Sequence, residues 1–372
     1  MTRSCLPPVP LLRLNFPPYV ALVLSERHVL VAGGGGSSKT GVANKLEIFE
    51  INRTSSQADR ISSVDTASTA LMNGTAFEFE DQTFVAAGGI GGICQIFKTE
   101  LSVDCDIRMN GIQRNGSPEP HHSSMRLRRR NSSSSSRDSV SNGQVTTAPL
   151  IDEVRRLTYN VKPFESFKCD FNENGDSKID ESFLKAVKFC TKSNVLITGG
   201  SDGHVRFWHF PTLRNTIDIV AHADEIVDLD VDFVGESMVS IARDGRCSHW
   251  RMKTGCKIND LEYVIPVAKN AMRPIKYKFK GCRFLPAPEA PQVLFTTLVP
   301  ATWTKTPEPC FLCRWDVRKC LNDRRIVVGT DPSTHMSIRS ALSSYSFSPH
   351  LLFFFVCVAT SVLTVVAWHW EH

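Results

Sequence analysis

A repeated pattern of glycines followed by one aromatic residue constrains the fold of this chain more than any other feature. The stretches GGIGGICQIF (88–97) and GGSDGHVRFW (199–208) have the same length, with two glycines first, a glycine fifth and an aromatic residue last. RDGRCSHW (243–250) keeps the same spacing between its glycine and its aromatic residue. Each copy follows a short apolar run, so the pattern predicts a strand, a tight turn and a second strand whose aromatic side chain packs between sheets.

The repeat occurs five times, with HVLVAGG to LEIF as the first copy and FLCRWD (311–316) as the weakest. Its aromatic positions are Phe49, Phe97, Trp208, Trp250 and Trp315. The interval from Trp208 to Trp250 is 42 residues, which is the size of one four-stranded propeller blade. We therefore predict an all-β fold, a WD-repeat β-propeller in which about five blades are recognisable.

The stretch 222–250 holds the residue types that form a buried hydrogen-bonded set in WD-repeat blades. These are a histidine before the inner strand, a serine or threonine, an aspartate in the turn and a tryptophan, here His222, Ser240, Asp244 and Trp250. A catalytic Ser-His-Asp triad uses the same residue types. The four positions fit the blade register, and buried polar groups need such partners. We therefore predict a structural tetrad and no catalytic residues.

A glycine-rich loop interrupts the first blade and resembles a phosphate-binding loop at first sight. That motif, counted from Gly33, requires a glycine at the position of Ser38, although Lys39 and Thr40 are in place. The residues that follow, NKLEIFEI (44–51), alternate as a strand, whereas a phosphate-binding loop leads into a helix. The loop is instead an insertion of seven residues between the second and third strands of a blade, because 16 positions separate Gly33 from Phe49 and only nine separate Gly88 from Phe97.

Charge is concentrated in one segment of the chain. Residues 107–137 contain seven arginines and one glutamate, a local net charge of +6. Because the whole chain has a net charge of +5, the remainder is near −1. The body therefore has no basic surface of the kind that binds nucleic acid. Residues 115–143 contain few apolar side chains, so we predict a disordered insertion over 107–150, either a solvated loop or, because RRRN precedes Ser132, a phosphorylation or import segment.

Two short motifs suggest metal sites that we do not expect to form. DFNENGDSKIDE (Asp170–Glu181) satisfies the EF-hand spacing, but Ser177 stands where a branched apolar residue is usual, and flanking helices are not evident. The following stretch, FLKAVKFC (183–190), is typical of an inner strand. We expect no calcium at Asp170–Glu181. CFLC (310–313) lacks a second cysteine pair or histidines at zinc spacing, so we interpret it as strand alternation.

The C-terminal region differs in class from the rest of the chain. LLFFFVCVATSVLTVVAWHW (351–370) contains no Lys, Arg, Asp or Glu. As a helix of about 20 residues it would span roughly 30 Å, the thickness of the hydrocarbon layer. Basic residues precede it, so the positive-inside rule places the body in the cytosol. We predict a propeller over 1–325, an atypical linker over 326–350 and a transmembrane anchor over 351–370; the alternative is a pair of buried strands.

Several stretches of the chain resemble one known family. FPPYVALVLSERHVLVAGGGGSSKTGVANKLEIFEI (16–51), VLITGGSDGHVRFWHFPTL (195–213), AHADEIVDLDVD (221–232) and YKFKGCRFLPAP (277–288) are similar to the prolactin regulatory element-binding protein family, the membrane-anchored exchange factors of the coat protein complex II pathway. The resemblance covers about residues 16–316. It implies a propeller of seven blades that accelerates GDP release from a Sar-type small GTPase at the endoplasmic reticulum membrane, without chemistry on the exchanger itself.

The glycine loop is the most specific part of this resemblance. In the family a loop of this kind binds potassium and presses on the GTPase. Carried over to this chain, the GTPase-contacting or potassium-binding loop comprises Gly33, Gly34, Gly35, Gly36, Ser37, Ser38, Lys39, Thr40, Gly41, Val42 and Asn44. The alternatives are a propeller scaffold without exchange activity, which has no need of such an insertion, and a nuclear DNA-binding regulator that uses the arginine-rich segment.

Overall fold

The computed structural model of the chain describes residues 12–36, 41–52, 57–67, 69–107, 153–171, 182–263, 276–301, 308–329, 336–341, 351–359 and 362–370. Strands dominate these ranges, and they form five four-stranded sheets and one three-stranded sheet. In each four-stranded sheet, every strand is bonded to the next one in chain order. The prediction of an all-β propeller with five recognisable blades is therefore confirmed.

The first two blades contain the first eight strands. Blade one consists of β1 (Pro18–Val23), β2 (His28–Gly33), β3 (Lys45–Asn52) and β4 (Gln57–Asp65). Blade two consists of β5 (Leu71–Phe79), β6 (Gln82–Gly89), β7 (Ile93–Ile107) and β8 (Glu153–Lys168).

The next three blades repeat the same order. Blade three consists of β9 (Leu184–Cys190), β10 (Val195–Gly200), β11 (His204–His209) and β12 (Arg214–Val220). Blade four consists of β13 (Ile226–Val231), β14 (Ser237–Ala242), β15 (Cys247–Arg251) and β16 (Cys256–Leu261). Blade five consists of β17 (Tyr277–Phe284), β18 (Val293–Pro300), β19 (Cys310–Asp316) and β20 (Leu321–Gly329), so it extends past the boundary predicted at residue 325.

The chain divides into two compact units. One comprises Met1–Leu101 with Tyr159–His372, and the other is Ser102–Thr158. The second unit contains the later part of β7 and the earlier part of β8, and its range includes all of the insertion predicted at 107–150. Residues 108–152 lie outside the described ranges.

The aromatic residue of each repeat lies on the third strand of its blade and is buried. Phe49, Phe97, Trp208, Trp250 and Trp315 expose between 1% and 6% of their surface. They pack with the apolar residues of the strands around them, as Trp250 does with Ile197, Leu229 and Met238. Burial of a side chain of this size stabilises the fold by about 2–3 kcal/mol. Four of the five aromatic residues belong to clusters that join two neighbouring blades, whereas Phe49 packs within blade one.

The C-terminal segment differs from the sequence prediction. A three-stranded antiparallel sheet contains β21 (Met336–Ala341), β22 (Leu351–Ala359) and β23 (Val362–Trp370), whereas a single helix was expected over 351–370. The two apolar runs are rich in β-branched and aromatic residues, which favour strands, and Thr360 and Ser361 lie between them. No helix within the described ranges is both long enough and apolar enough to cross a membrane.

Candidate functional site

The glycine loop lies where the sequence predicted it, between two regular strands of blade one. β2 and β3 pair without a break in register from His28↔Glu50 to Gly33↔Lys45. Eleven residues therefore connect Gly33 to Lys45, whereas three connect Gly89 to Ile93 at the same place in blade two. Ser37, Ser38, Lys39 and Thr40 lie outside the described residues. The rest of the loop rises from a ladder that fixes both of its ends.

The first two glycines of the loop have no room for a side chain. A Cβ atom on Gly33 would collide with the carbonyl oxygen of Pro17, and one on Gly34 would collide with the amide oxygen of Asn44. The φ angle of Gly34 is +144°, which other residues rarely adopt. Its N–H donates to the carbonyl of Pro17 at 3.1 Å. These two positions require glycine for steric reasons, independently of any partner.

Asn44 holds the base of the loop with its side-chain amide. The Oδ1 atom accepts a hydrogen bond from the N–H of Gly36 at 2.8 Å. The Nδ2 atom donates to the carbonyl of Gly36 at 3.0 Å and to the carbonyl of Ala67 at 2.8 Å. Asn44 is only 4% exposed, so these bonds form away from bulk water and each contributes more than a surface bond would. One side chain thus ties the loop to itself and to the connection that leads into blade two.

The described part of the loop presents backbone rather than charge. No charged side chain occurs at residues 33–36 or 41–44. The polar groups of this part of the loop are therefore mainly backbone N–H groups and carbonyl oxygens, of which the N–H of Gly34 and both backbone groups of Gly36 already bond to Pro17 and Asn44. Carbonyl oxygens are the ligands that hard cations take. In donor chemistry, this part of the loop fits the potassium ion that the family resemblance implies.

Three of the four predicted tetrad residues form one hydrogen-bonded chain in blade four. The Oγ atom of Ser240 bonds to Nε2 of His222 at 2.7 Å and accepts from Nε1 of Trp250 at 2.8 Å. Asp244 lies in the turn, where its Oδ1 atom accepts from the N–H of Arg246 at 2.8 Å. Burial lowers the pKa of His222 below its ordinary value of 6.5, and Asp244 opposes this in part. Ser240 is fully buried, so no substrate can reach its hydroxyl.

The same tryptophan anchor recurs in two other blades, with threonine in place of serine. Nε1 of Trp208 donates to Thr198 at 2.8 Å in blade three, and Nε1 of Trp315 donates to Thr296 at 2.8 Å in blade five. A group that repeats from blade to blade is characteristic of the scaffold. The recurrence supports a structural role for these residues in place of a catalytic one.

The first residue of the EF-hand-like stretch is used inside the fold. Asp170 is fully buried, and its Oδ2 atom accepts from the N–H of Phe183 at 3.0 Å and from both the N–H and the hydroxyl of Ser201, at 2.9 and 2.6 Å. Burial raises the pKa of Asp170 above its ordinary 3.8, and nearby Asp202 raises it further. Residues 172–181 lie outside the described ranges, so the absence of calcium there stays a prediction.

The cysteine pair of CFLC lies on one strand, as the alternation predicted. Cys310 and Cys313 are both buried on β19, and positions three apart on a strand point to opposite faces. Burial raises the pKa of Cys313 to about 11, so its thiol stays protonated at neutral pH. Among the described residues, no group of three or more His, Cys, Asp or Glu side chains is placed to hold a metal ion.

A cavity of about 800 Å³ lies between the inner strands β1, β5, β9, β13 and β17. Two pairs of its charged side chains form ion pairs across the blades. Lys188 lies 3.2 Å from Asp230, and Arg283 lies 2.6 Å from Asp228. Each carboxylate also accepts a backbone N–H of β17, from Phe284 and Cys282 respectively. These charges fasten blades three, four and five together, and the glycine loop remains the better candidate for a binding site.

Comparisons with known proteins agree with the resemblance found in the sequence. The chain is 28% identical over 313 residues to guanine nucleotide-exchange factor SEC12 of Rattus norvegicus, a match that covers 83% of this chain and 67% of the relative. It is 27% identical over the same length to guanine nucleotide-exchange factor SEC12 of Mus musculus, with the same coverage. No protein-family model matches the chain. The chain is thus a distant homologue of these exchange factors, with a β-propeller fold.

Proposed function

We propose that this chain is a guanine-nucleotide exchange factor that accelerates GDP release from a Sar-type small GTPase and so starts coat protein complex II vesicle budding at the endoplasmic reticulum. Distant homology to the SEC12 exchange factors supports the proposal. The observation that carries it is the glycine loop, an eleven-residue connection on an unbroken strand pair in blade one. A scaffold that only binds proteins would not need this insertion.

The proposed mechanism requires no chemistry on the chain itself. An exchanger accelerates nucleotide loss by binding the nucleotide-free GTPase more tightly than the nucleotide-bound form. Each tenfold acceleration corresponds to about 1.4 kcal/mol of preferential binding to the state that releases GDP. The loop acts as a shaped wedge, and its clamped base lets contacts form without first ordering the backbone, because Asn44 already fixes Gly36.

A potassium ion bound by the loop is part of the proposal. The carbonyl oxygens of the loop glycines would hold it, and the ion would supply a local positive charge that keeps the backbone in one conformation. The exchange activity of the chain would then depend on which monovalent cation is present in solution. Stimulated GDP release should fall when sodium or choline replaces potassium in the assay, whereas equal rates in all three salts would argue against the ion.

The membrane anchor is the second part of the proposal. Residues 351–370 contain no Lys, Arg, Asp or Glu, and basic residues precede them. As a membrane-spanning helix in place of the β22–β23 pair, they would attach the chain to the endoplasmic reticulum membrane with the propeller in the cytosol. Extraction of membranes at alkaline pH should leave the full-length chain in the membrane pellet. Release of the chain into the supernatant would remove the anchor from the proposal, and the proposed exchange activity would still stand.

The direct test is nucleotide release from purified small GTPases. The full-length chain in detergent is added to a Sar-type GTPase and to an unrelated small GTPase, each loaded with fluorescent GDP. We expect the chain to accelerate GDP release from the Sar-type GTPase and not from the unrelated one. Binding of the nucleotide-free GTPase without acceleration would indicate a scaffold, and an absence of both would contradict the proposed partner.

A further inference from the structure

The glycine loop lies close to a residue of the neighbouring blade. Gly36 has a φ angle of +73°, and a Cβ atom built on it would lie 3.2 Å from Cδ1 of Ile90. Ile90 is half-buried and follows directly after β6, in the turn that leads to β7. It is the one large apolar side chain in the glycine-rich sequence GGIGG (88–92). The repeat pattern accounts for the glycines of this turn but not for an isoleucine at its centre.

The turn that carries Ile90 is fixed from its other side. The N–H of Gly91 donates to the carbonyl of Ser182 at 2.8 Å. The carbonyl of Gly92 accepts from the N–H groups of Cys169 and Asp170, at 2.8 and 3.2 Å. Ile90 itself forms an antiparallel bridge with Phe183. The segments on either side of the connection from blade two to blade three therefore hold this turn, so Ile90 has a fixed place beside the loop.

Two supports meet at one residue of the loop. Asn44 bonds both the N–H and the carbonyl of Gly36 from within blade one, and from blade two the side chain of Ile90 occupies the space next to Gly36 where a larger residue would be crowded. Hydrogen bonds to a backbone fix its distance from the clamp, while a packed side chain limits its sideways movement. A functional loop needs this kind of support, because a site displaced by about 1 Å can lose up to roughly 100-fold in rate.

We propose that Ile90 is a positioning residue of the exchange loop, which holds Gly36 and its neighbours in the conformation that acts on the GTPase. This inference rests on the proposed function, since the loop must act on a partner for its position to matter. Ile90 lies beside the loop and is not assigned a contact with the GTPase. Its effect is therefore on the rate of release at saturating exchanger, and not on the concentration of exchanger that gives half the maximal rate.

The test compares Ile90→Ala with the conservative variants Ile90→Val and Ile90→Leu in the full-length chain. Ile258→Ala is the matched control, because Ile258 lies on β16 of blade four and is 45% exposed. We expect Ile90→Ala to lower the maximal stimulated rate roughly tenfold with little change in the half-saturating concentration. The Val and Leu variants should recover most of the rate, and the control should match the parent chain.

A second readout does not depend on exchange activity. Hydrogen exchange of peptides that cover residues 34–44 reports how often the bonds of the loop base open. Faster exchange in Ile90→Ala than in Ile258→Ala is expected. Unchanged exchange there would overturn the inference even if the rate fell, and a large drop in melting temperature with no specific change in these peptides would assign Ile90 a merely structural role. If the parent chain does not stimulate GDP release from the GTPase, the proposed function fails. Hydrogen exchange of the loop peptides would still decide whether Ile90 holds the loop.

Discussion

Blade one and blade four differ in the connection between their second and third strands and in what their buried polar side chains bond to. Eleven residues connect the second and third strands of blade one, and four connect those of blade four. In blade four, buried side chains bond to one another across the sheet, from His222 through Ser240 to Trp250. In blade one, the buried amide of Asn44 bonds mainly to the backbone of the loop. The polar groups of blade four therefore stabilise the sheet, whereas those of blade one shape the connection.

This difference predicts that stability and exchange activity can be separated by mutation. Changes in the network of blade four should unfold the protein more easily and leave the activity of each folded molecule intact. Changes in the loop of blade one should abolish activity and leave the melting temperature almost unchanged.

The largest effect is expected from shortening the loop. Deletion of residues 35–41 leaves four residues between Gly33 and Lys45, the same number as in blade four, and keeps Asn44 with its bond to Ala67. We expect stimulated GDP release to fall to the unstimulated rate. The melting temperature should fall by only a few degrees, because the strand ladder and the core are untouched and the cost is confined to the two bonds that Asn44 makes to Gly36.

A matched control moves the same seven residues to the other blade. The sequence GGSSKTG (35–41) is inserted between Asp244 and Gly245 of the shortened chain. Activity should stay at the unstimulated level, since loop composition without the strand pair and clamp of blade one is not sufficient. Full activity of the shortened chain, or recovery of activity from the insertion in blade four, would contradict the separation of roles.

The next effect in size is on stability, through Ser240. In Ser240→Ala, the Nε1–H of Trp250 and the ring nitrogen of His222 lose their shared partner inside the sheet. An unsatisfied buried group of this kind costs about 1–3 kcal/mol, so we expect a loss of about 2–4 kcal/mol in the free energy of unfolding by urea titration. The rate of stimulated release for each folded molecule should not change.

Ser240→Thr is the control for this change. Blades three and five already have threonine in the same role, at Thr198 and Thr296. The hydroxyl is kept, so the loss should stay below about 1 kcal/mol. An equal loss in both variants would show that the space around Ser240, and not its hydrogen bonds, determines the stability of the blade.

The sequence predicted the scaffold better than the site. Spacing between a turn glycine and an aromatic residue is local, so the positions of Phe49 and Trp250 could be read directly. The bond from Asn44 to Ala67 and the close approach of Ile90 to Gly36 bring together different connections of the fold, and no local spacing encodes them. The run over 351–370 was ambiguous for another reason, because apolar residues without periodicity suit both a helix and paired strands.

The smallest effect is expected from pH, through His222. Burial holds the pKa of His222 below 6.5 in the folded chain, so the folded state favours the neutral ring. Stability from this group is complete above about pH 6.5 and decreases as the pH falls from there towards the lower folded pKa, by at most about 1.4 kcal/mol per pH unit. His28 and His249 are shifted in the same direction by burial, whereas burial raises the pKa of Asp170 and Asp232, which opposes the trend. A single melting curve in acid therefore cannot isolate His222.

The free energy of unfolding should be measured from pH 7.5 to 5.5 for the parent chain and for His222→Gln, in which residue 222 no longer titrates. We expect the variant to be less stable at pH 7.5 and its pH slope to be smaller than that of the parent. Parallel slopes would mean that His222 keeps its ordinary pKa in the fold, and the blade-four network would then stabilise the sheet through Ser240 and Trp250 alone.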